Sequence, residues 1–312
     1  MGVAAAVGLF LLGLVLIIKG GDWFLEGAVW MAEASGIPRF LIGATVVSLV
    51  TTLPELTVSV MGVAEGQVDL AVANAVGSVT ANLGLILGIS ALWRPAGVAH
   101  RQFDWKAAMM VTGALILTLL CRRGTLHLLP ALTLGAVFGL YLVNNLADAR
   151  GSVRETPGEA VTGQWSRKLL AFLVGVGAIL LGSRLLIDYG SALAALCGVP
   201  ASVIGVTMVA VGTSLPELVT AVTALAKGEA ALTVGNILGA NVIDLTLILP
   251  VCAAVSGGSL PIGRQTAALD LPFCLLLCLV SVVPPWMTGR FSRWQGGALL
   301  GLYGLYVAGL VL

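Results

Sequence analysis

Charge is what this 312-residue sequence has little of. Asp, Glu, Lys and Arg make up 10% of it, against 58% hydrophobic residues, whereas a soluble domain carries about 25% charged residues. So few charges cannot cover a surface facing water, and a soluble globular protein is excluded. The mean hydropathy of +1.04 points the same way. Histidine is nearly absent: His100 and His127 stand singly near expected helix ends, without metal-like neighbours. The five cysteines, Cys121, Cys197, Cys252, Cys274 and Cys278, lie in or near apolar segments with no CxxC spacing. They read as small apolar core residues, not as thiolate ligands or disulfides. With no HExxH motif and no deep Ser–His or Cys–His pair, an intramembrane enzyme is disfavoured. The start has no basic n-region before its first apolar run, unlike a cleaved leader, and Ala6 breaks the myristoylation pattern. Nothing calls for a cofactor, a nucleic acid or an obligate protein partner.

What is present is a succession of long apolar runs, such as Val3–Ile18, Leu128–Val143 and Ala298–Leu312, of the kind that cross a bilayer as helices. The expected architecture is an all-α membrane protein of about ten transmembrane helices. Their spans are 3–19 (or on to about 34), 39–64, 69–92, 106–121, 127–146, 168–187, 201–226, 230–254, 269–284 and 294–311. The longest polar stretch, Ala147–Lys168, has Gly, Pro and mixed charge and reads as a linker.

The chain repeats itself. Shifting residue i onto i+162 without a gap lays GATVVSLVTTLPEL (Gly43–Leu56) on GVTMVAVGTSLPEL (Gly205–Leu218), and ANAVGSVTANLGLIL (Ala73–Leu87) on GNILGANVIDLTLIL (Gly235–Leu249). Nineteen of 45 positions are identical between 43–87 and 205–249, a self-similarity that marks an internal repeat. The division is 1–146 for the first five-helix repeat, 147–168 for a cytoplasmic linker and 169–312 for the second. Five helices per half is an odd number, so the second half enters the membrane inverted, an arrangement common in secondary transporters. Placing the N-terminus outside puts 12 of the 16 Lys and Arg residues on inner loops and 4 on outer ones. That favours a multi-pass protein of the cell membrane with both termini outside and the linker in the cytoplasm. Trp93, Trp105, Trp165, Trp286 and Trp294 fall near expected helix ends, as interfacial anchors do.

Three ionisable residues fall deep inside expected spans: Glu55, Glu217 and Asp244. All are acids, and no expected span carries a Lys or Arg at comparable depth. A charge at the membrane centre costs about 2.5 kcal/mol or more, so a bound cation, a proton or a water-filled cavity must compensate. Thr51 and Glu55 are spaced i, i+4 and share a helix face, as do Thr213 and Glu217. Pro54 and Pro216 precede the glutamates; a mid-helix proline lacks an N–H and clashes with the carbonyl four residues back. Broken helices of this kind bind ions through freed carbonyls. On the next helix Asn74, Ser78 and Asn82 form a stripe, matched by Asn236, Ala240 and Asp244. Asn74 and Asn236 suit helix packing as well as ion contact; Ser78, Asn82 and Asp244 suit ion contact. An all-oxygen set fits Ca²⁺ or the similarly sized Na⁺, and the absence of thiolate and imidazole argues against Zn²⁺ or Cu⁺. Two facing carboxylates would titrate as a unit, which keeps proton coupling open.

TTLPEL (Thr51–Leu56) with ANAVGSVTAN (Ala73–Asn82), and GTSLPEL (Gly212–Leu218) with GNILGANVID (Gly235–Asp244), resemble the two alpha repeats of the cation/Ca²⁺ exchanger superfamily, in its prokaryotic sodium/calcium exchanger branch. The resemblance implies a secondary-active antiporter exchanging Na⁺ for Ca²⁺ by alternating access, those two ions being its substrates. It implies that Glu55 and Glu217 bridge the ions and that the Thr51 and Thr213 carbonyls complete a central Ca²⁺ site lined by Asn82 and Asp244. Thr52, Ser78 and Ser214 would serve flanking Na⁺ positions, with backbone oxygens of Ser48 and Ala210. The first and sixth helices would slide over this core as a gate. Two positions depart from the pattern: Val79 replaces an Asn and Ala240 replaces a Ser. An H⁺-coupled or K⁺-dependent Ca²⁺/cation antiporter is the alternative. A cation channel is a weaker one, since channel pores run on axes between subunits and this pseudo-symmetric site lies within one chain.

Overall fold

A computed structural model describes residues 3–152, 165–196 and 214–311. Ten helical segments follow one another among these residues: α1 (Val3–Ser35), α2 (Arg39–Ala64), α3 (68–93), α4 (His100–Cys121), α5 (Leu128–Ser152), α6 (Trp165–Leu196), α7 (Leu215–Ala226), α8 (Ala230–Val255), α9 (Thr266–Thr288) and α10 (Arg293–Val311). Eight are long and apolar enough to cross a membrane; α7, described over 12 residues, is a shorter apolar helix. The fold is an all-α membrane protein built of two inverted five-helix repeats. Residues 201–213 of the seventh expected helix, with Ala210 and Thr213, lie outside the described residues, as does Cys197. The other four cysteines are buried and free.

Several helices outrun their expected ends. The first is one 33-residue helix. α4 begins at His100, six residues ahead of Lys106, and α5 and α6 take up both margins of the 147–168 stretch. Polar residues at a membrane surface sustain helix where hydropathy has already fallen, so apolar runs mark span cores better than helix ends. One local element is not helical. Thr125–His127, before α5, pairs antiparallel with Ser259–Pro261, before α9, tying the two halves together at one face. The five tryptophans at helix ends are each about half or more exposed, as interfacial anchors should be.

The repeat is visible in backbone detail. α2 breaks at Thr52 (φ −85, ψ −3) and α7 begins after Ser214 (φ −85, ψ 7), positions 162 apart. Pro54 and Pro216 sit in the first turn of the following half-helices, where a missing N–H costs nothing. The half-helices end alike. Gly66 and Gly228 take φ +81 and +85. The Gln67 and Glu229 N–H groups reach back to the Gly62 and Ala224 carbonyls at 2.7 Å, the closing bond of a Schellman cap. Inside α3 a wider π turn starts at Asn82, and inside α8 another starts at Asp244, again repeat mates.

α3 and α8 are the most enclosed spans. α2 crosses α8 backbone to backbone: a Cβ on Gly43 would run into the Leu232 carbonyl, and one on Gly235 into the Phe40 carbonyl. α1 and α6 form a separate antiparallel pair along a glycine seam. A Cβ at Gly13 would meet the Gly182 oxygen at 3.0 Å, and one at Gly20 the Gly175 oxygen at 2.9 Å. Small residues let helices approach closely in lipid, where association rests on such packing. The rings of Phe24 and Phe172 stack at 4.8 Å on this seam.

Candidate functional site

The three intramembrane acids come together at the centre of the molecule. Glu55 is 1% exposed, and Glu217 and Asp244 are 0% exposed. The half of α2 that carries Glu55 packs against the α8 π turn that carries Asp244, and α7, which carries Glu217, packs along α8. Each is placed by a backbone irregularity: the glutamates in the first turns after the breaks, the aspartate at the head of the α8 π turn. π turns recur at functional sites because the extra residue redirects side chains and loosens backbone bonds.

All six carboxylate oxygens of the triad are buried without a hydrogen-bond partner, and so are the Asn82 Oδ1 and the Ser214 hydroxyl. Buried polar atoms are almost always paired, so eight orphaned oxygens describe a place shaped for something that attracts oxygen lone pairs. No Lys or Arg pairs with any of the three acids among the described residues. One basic side chain does lie buried in a span: Lys106, 0% exposed, donates to Asp148 at 2.9 Å and lies 5.7 Å from the centre of the Phe40 ring. It is neutralised locally by that acid. Among the described residues no three His, Cys, Asp or Glu side chains form a metal-holding group.

The remaining expected site residues with described positions are buried as well: Ser48 0%, Thr51 3%, Thr52 1%, Ser78 2%, Asn82 1% and Ser214 3% exposed. Their hydrogen bonds divide them. Thr52 donates its hydroxyl to the Ser48 carbonyl at 2.5 Å, and the Thr52 N–H reaches the same oxygen at 3.0 Å. The Thr51 hydroxyl also lies 3.4 Å from that carbonyl, so three donors surround it. Thr51 donates to Asn236 Oδ1 at 3.3 Å, Asn236 to the Thr220 hydroxyl at 3.2 Å, and Thr220 to the Glu217 carbonyl at 3.0 Å. This chain links the break in one repeat to the glutamate of the other. Asn74 plays the matching part, donating to the Glu55 carbonyl at 3.2 Å and to Ser59 at 3.0 Å. Asn74 and Asn236 thus bind neighbouring helices and hold the glutamate turns.

Asn241 and Asp270 are among the buried polar residues that escaped sequence reasoning. Asn241, 0% exposed, accepts from Asn82; it occupies the position of Val79, so the repeat offered no warning. Asp270, 4% exposed, accepts from the Tyr306 hydroxyl at 3.2 Å. It stood at the lip of the expected 269–284 span, and the earlier start of α9 draws it inside.

A helix broken at Thr52, inverted repeats and buried, unpaired acids within the membrane spans define a membrane transporter of cations, a class whose sites lie where the repeats meet. Residues 5–147 and 167–312 match the family described as sodium/calcium exchanger protein, and this chain belongs to it. The gap between the matched blocks falls in the central polar stretch. The chain is 27% identical to the sodium/calcium exchanger MaX1 of Methanosarcina acetivorans, over 95% of each. It is 32% identical to the inner membrane protein YrbG of Escherichia coli, over 93% of this chain and 95% of that one. Among solved structures it is similar to the sodium-calcium exchanger NCX_Mj soaked with Na⁺ and Sr²⁺, with a TM-score of 0.86 and 27% identity over 98% and 99% of the two chains.

Proposed function

We propose that this protein exchanges Na⁺ for Ca²⁺ by alternating access, with the ions bound between the two repeats. The observation that carries the reading is the set of eight buried, unpartnered oxygens from Glu55, Glu217, Asp244, Asn82 and Ser214. Oxygen-only shells suit Ca²⁺ and ions of similar size. In this reading Glu55 and Glu217 bridge the ions, Thr51 and Thr213 contribute carbonyls, and Asn82 and Asp244 line the centre. Thr52, Ser78 and Ser214, with the Ser48 and Ala210 carbonyls, serve the flanking Na⁺. The names of MaX1 and NCX_Mj support the same ion pair. α1 and α6, joined to each other along their glycine seam, move over the core as the gate. The protein sits in the cell membrane with both termini outside and the 147–168 linker in the cytoplasm. The division into 1–146 and 169–312 follows the inverted repeats.

A second reading has its own observation. Asp244 adds a third carboxylate where two already balance Ca²⁺, and a proton or K⁺ could neutralise it. Radiolabelled Ca²⁺ uptake into proteoliposomes under imposed Na⁺, K⁺ or H⁺ gradients separates the readings. Uptake driven by Na⁺ and abolished in Glu55→Gln is the expected result; uptake that ignores Na⁺ and follows pH overturns Na⁺ coupling.

A further inference from the structure

Asn82 reaches the site from the α3 π turn, and an amide has two faces. Its oxygen attracts a cation; its NH₂ group repels one. Which face points inward decides whether Asn82 is a ligand or an obstacle. The structure holds a chain of bonds that fixes this. Asn82 Nδ2 donates to Asn241 Oδ1 at 3.1 Å, and Asn241 Nδ2 donates to the Met110 sulfur at 3.6 Å. A thioether has lone pairs and no hydrogen, so it only accepts. The sulfur therefore takes the NH₂ end of Asn241, which leaves the Asn241 oxygen for Asn82. That in turn takes the NH₂ end of Asn82, whose oxygen is left buried and unpartnered. All three side chains are buried, Met110 and Asn241 at 0% exposed and Asn82 at 1%, so no water competes for either amide.

We propose that Asn241 is a positioning residue for cation binding: it turns the Asn82 carbonyl oxygen toward the ion and holds its NH₂ group away. The inference rests on the cation site proposed above. It also gives a physical role to an asymmetry of the repeats. The mate of Asn82 is Asp244, which presents oxygen whichever way it turns and needs no such partner. The mate of Asn241 is Val79, which offers none.

The test uses the full chain in proteoliposomes with Asn241→Leu, similar in size and without an acceptor, and Asn241→Asp, which keeps one. Losing a fixed oxygen from a charged ligand set is expected to raise the KM for Ca²⁺ about tenfold in Asn241→Leu. The maximal rate should change far less, and Asn241→Asp should restore affinity. In an Asn82→Ala background the leucine should add nothing, because the group it positions is gone. Asn241→Ala carries the same expectation if the leucine disturbs folding. An unchanged KM, equal damage from Leu and Asp, or additive losses with Asn82→Ala each overturn the proposal. Glu55→Gln run in parallel separates the two levels. If it still transports, the site reading fails; if it is dead while Asn241→Leu behaves as wild type, only the role of Asn241 fails.

Discussion

Replacing Glu217 with Gln should make the protein more stable and useless at once. The carboxylate is 0% exposed and both of its oxygens lack hydrogen-bond partners. Even lenient membrane scales charge about 2.5–3.5 kcal/mol for an acid at the centre of a span. Gln keeps the volume and removes the charge. Ion-free protein in detergent should gain about 2 kcal/mol or more, which moves the unfolding midpoint up by roughly 4–8 °C at the 2–4 °C per kcal/mol of large domains. Ca²⁺ should act in the opposite sense. In the parent, Ca²⁺ at 100 times its Kd adds about 2.7 kcal/mol through mass action; in Glu217→Gln that increment should vanish. The assay is thermal unfolding followed by intrinsic fluorescence, with and without Ca²⁺, on protein freed of ions by chelation. A variant that loses stability without Ca²⁺, or keeps a full Ca²⁺-induced rise, refutes the argument that this carboxylate is a strained group held for a cation.

Two further outcomes test the frame around the site. At Gly20→Val the new Cβ meets the Gly175 oxygen at 2.9 Å and the Ile179 nitrogen at 3.0 Å, backbone atoms that cannot step aside. Overpacking of this kind costs about 1–3 kcal/mol, and Ca²⁺ flux should fall with the midpoint; Gly8→Val, with nothing within 4 Å, should match the parent in both. Lys106→Ala removes the buried cation bound to Asp148, whose side chain is 18% exposed. Breaking a buried pair costs about 3–5 kcal/mol, less here because water reaches the acid. The double variant Lys106→Met with Asp148→Asn should recover most of the loss in an unfolding measurement.

The acids of the site were legible because the membrane makes them conspicuous. Glu55, Glu217 and Asp244 stand out in apolar runs whatever the fold, and the 162-residue shift pairs the glutamates without any structure. Pro54 likewise announced a broken helix, though the break falls at Thr52, a residue or so beyond the expected disturbance; the disturbance expected at Gly212–Thr213 lies outside the described residues. The four residues Asn74, Asn236, Asn241 and Asp270 were ambiguous or missed for one reason. An amide or acid near a helix face can pack, bind or face water, and the sequence does not say what stands opposite. Asn241 depends on Met110, 131 positions away; Asp270 depends on Tyr306 of another helix.

Sequence alone determined the class of solvent, the helical architecture, the repeat and the chemistry of the central oxygens, because each follows from composition or from periodicity along the chain. Tertiary structure decided which of those oxygens are left unpaired. Hydrogen bonds between α2, α3, α7 and α8 engage Asn74 and Asn236, and leave Glu55, Glu217, Asp244, Asn82 and Ser214 with oxygens free. Pairing is a property of neighbours in space, some from the same repeat (Asn74 with Glu55, Asn236 with Thr220) and some from the opposite one (Thr51 with Asn236, Asn82 with Asn241).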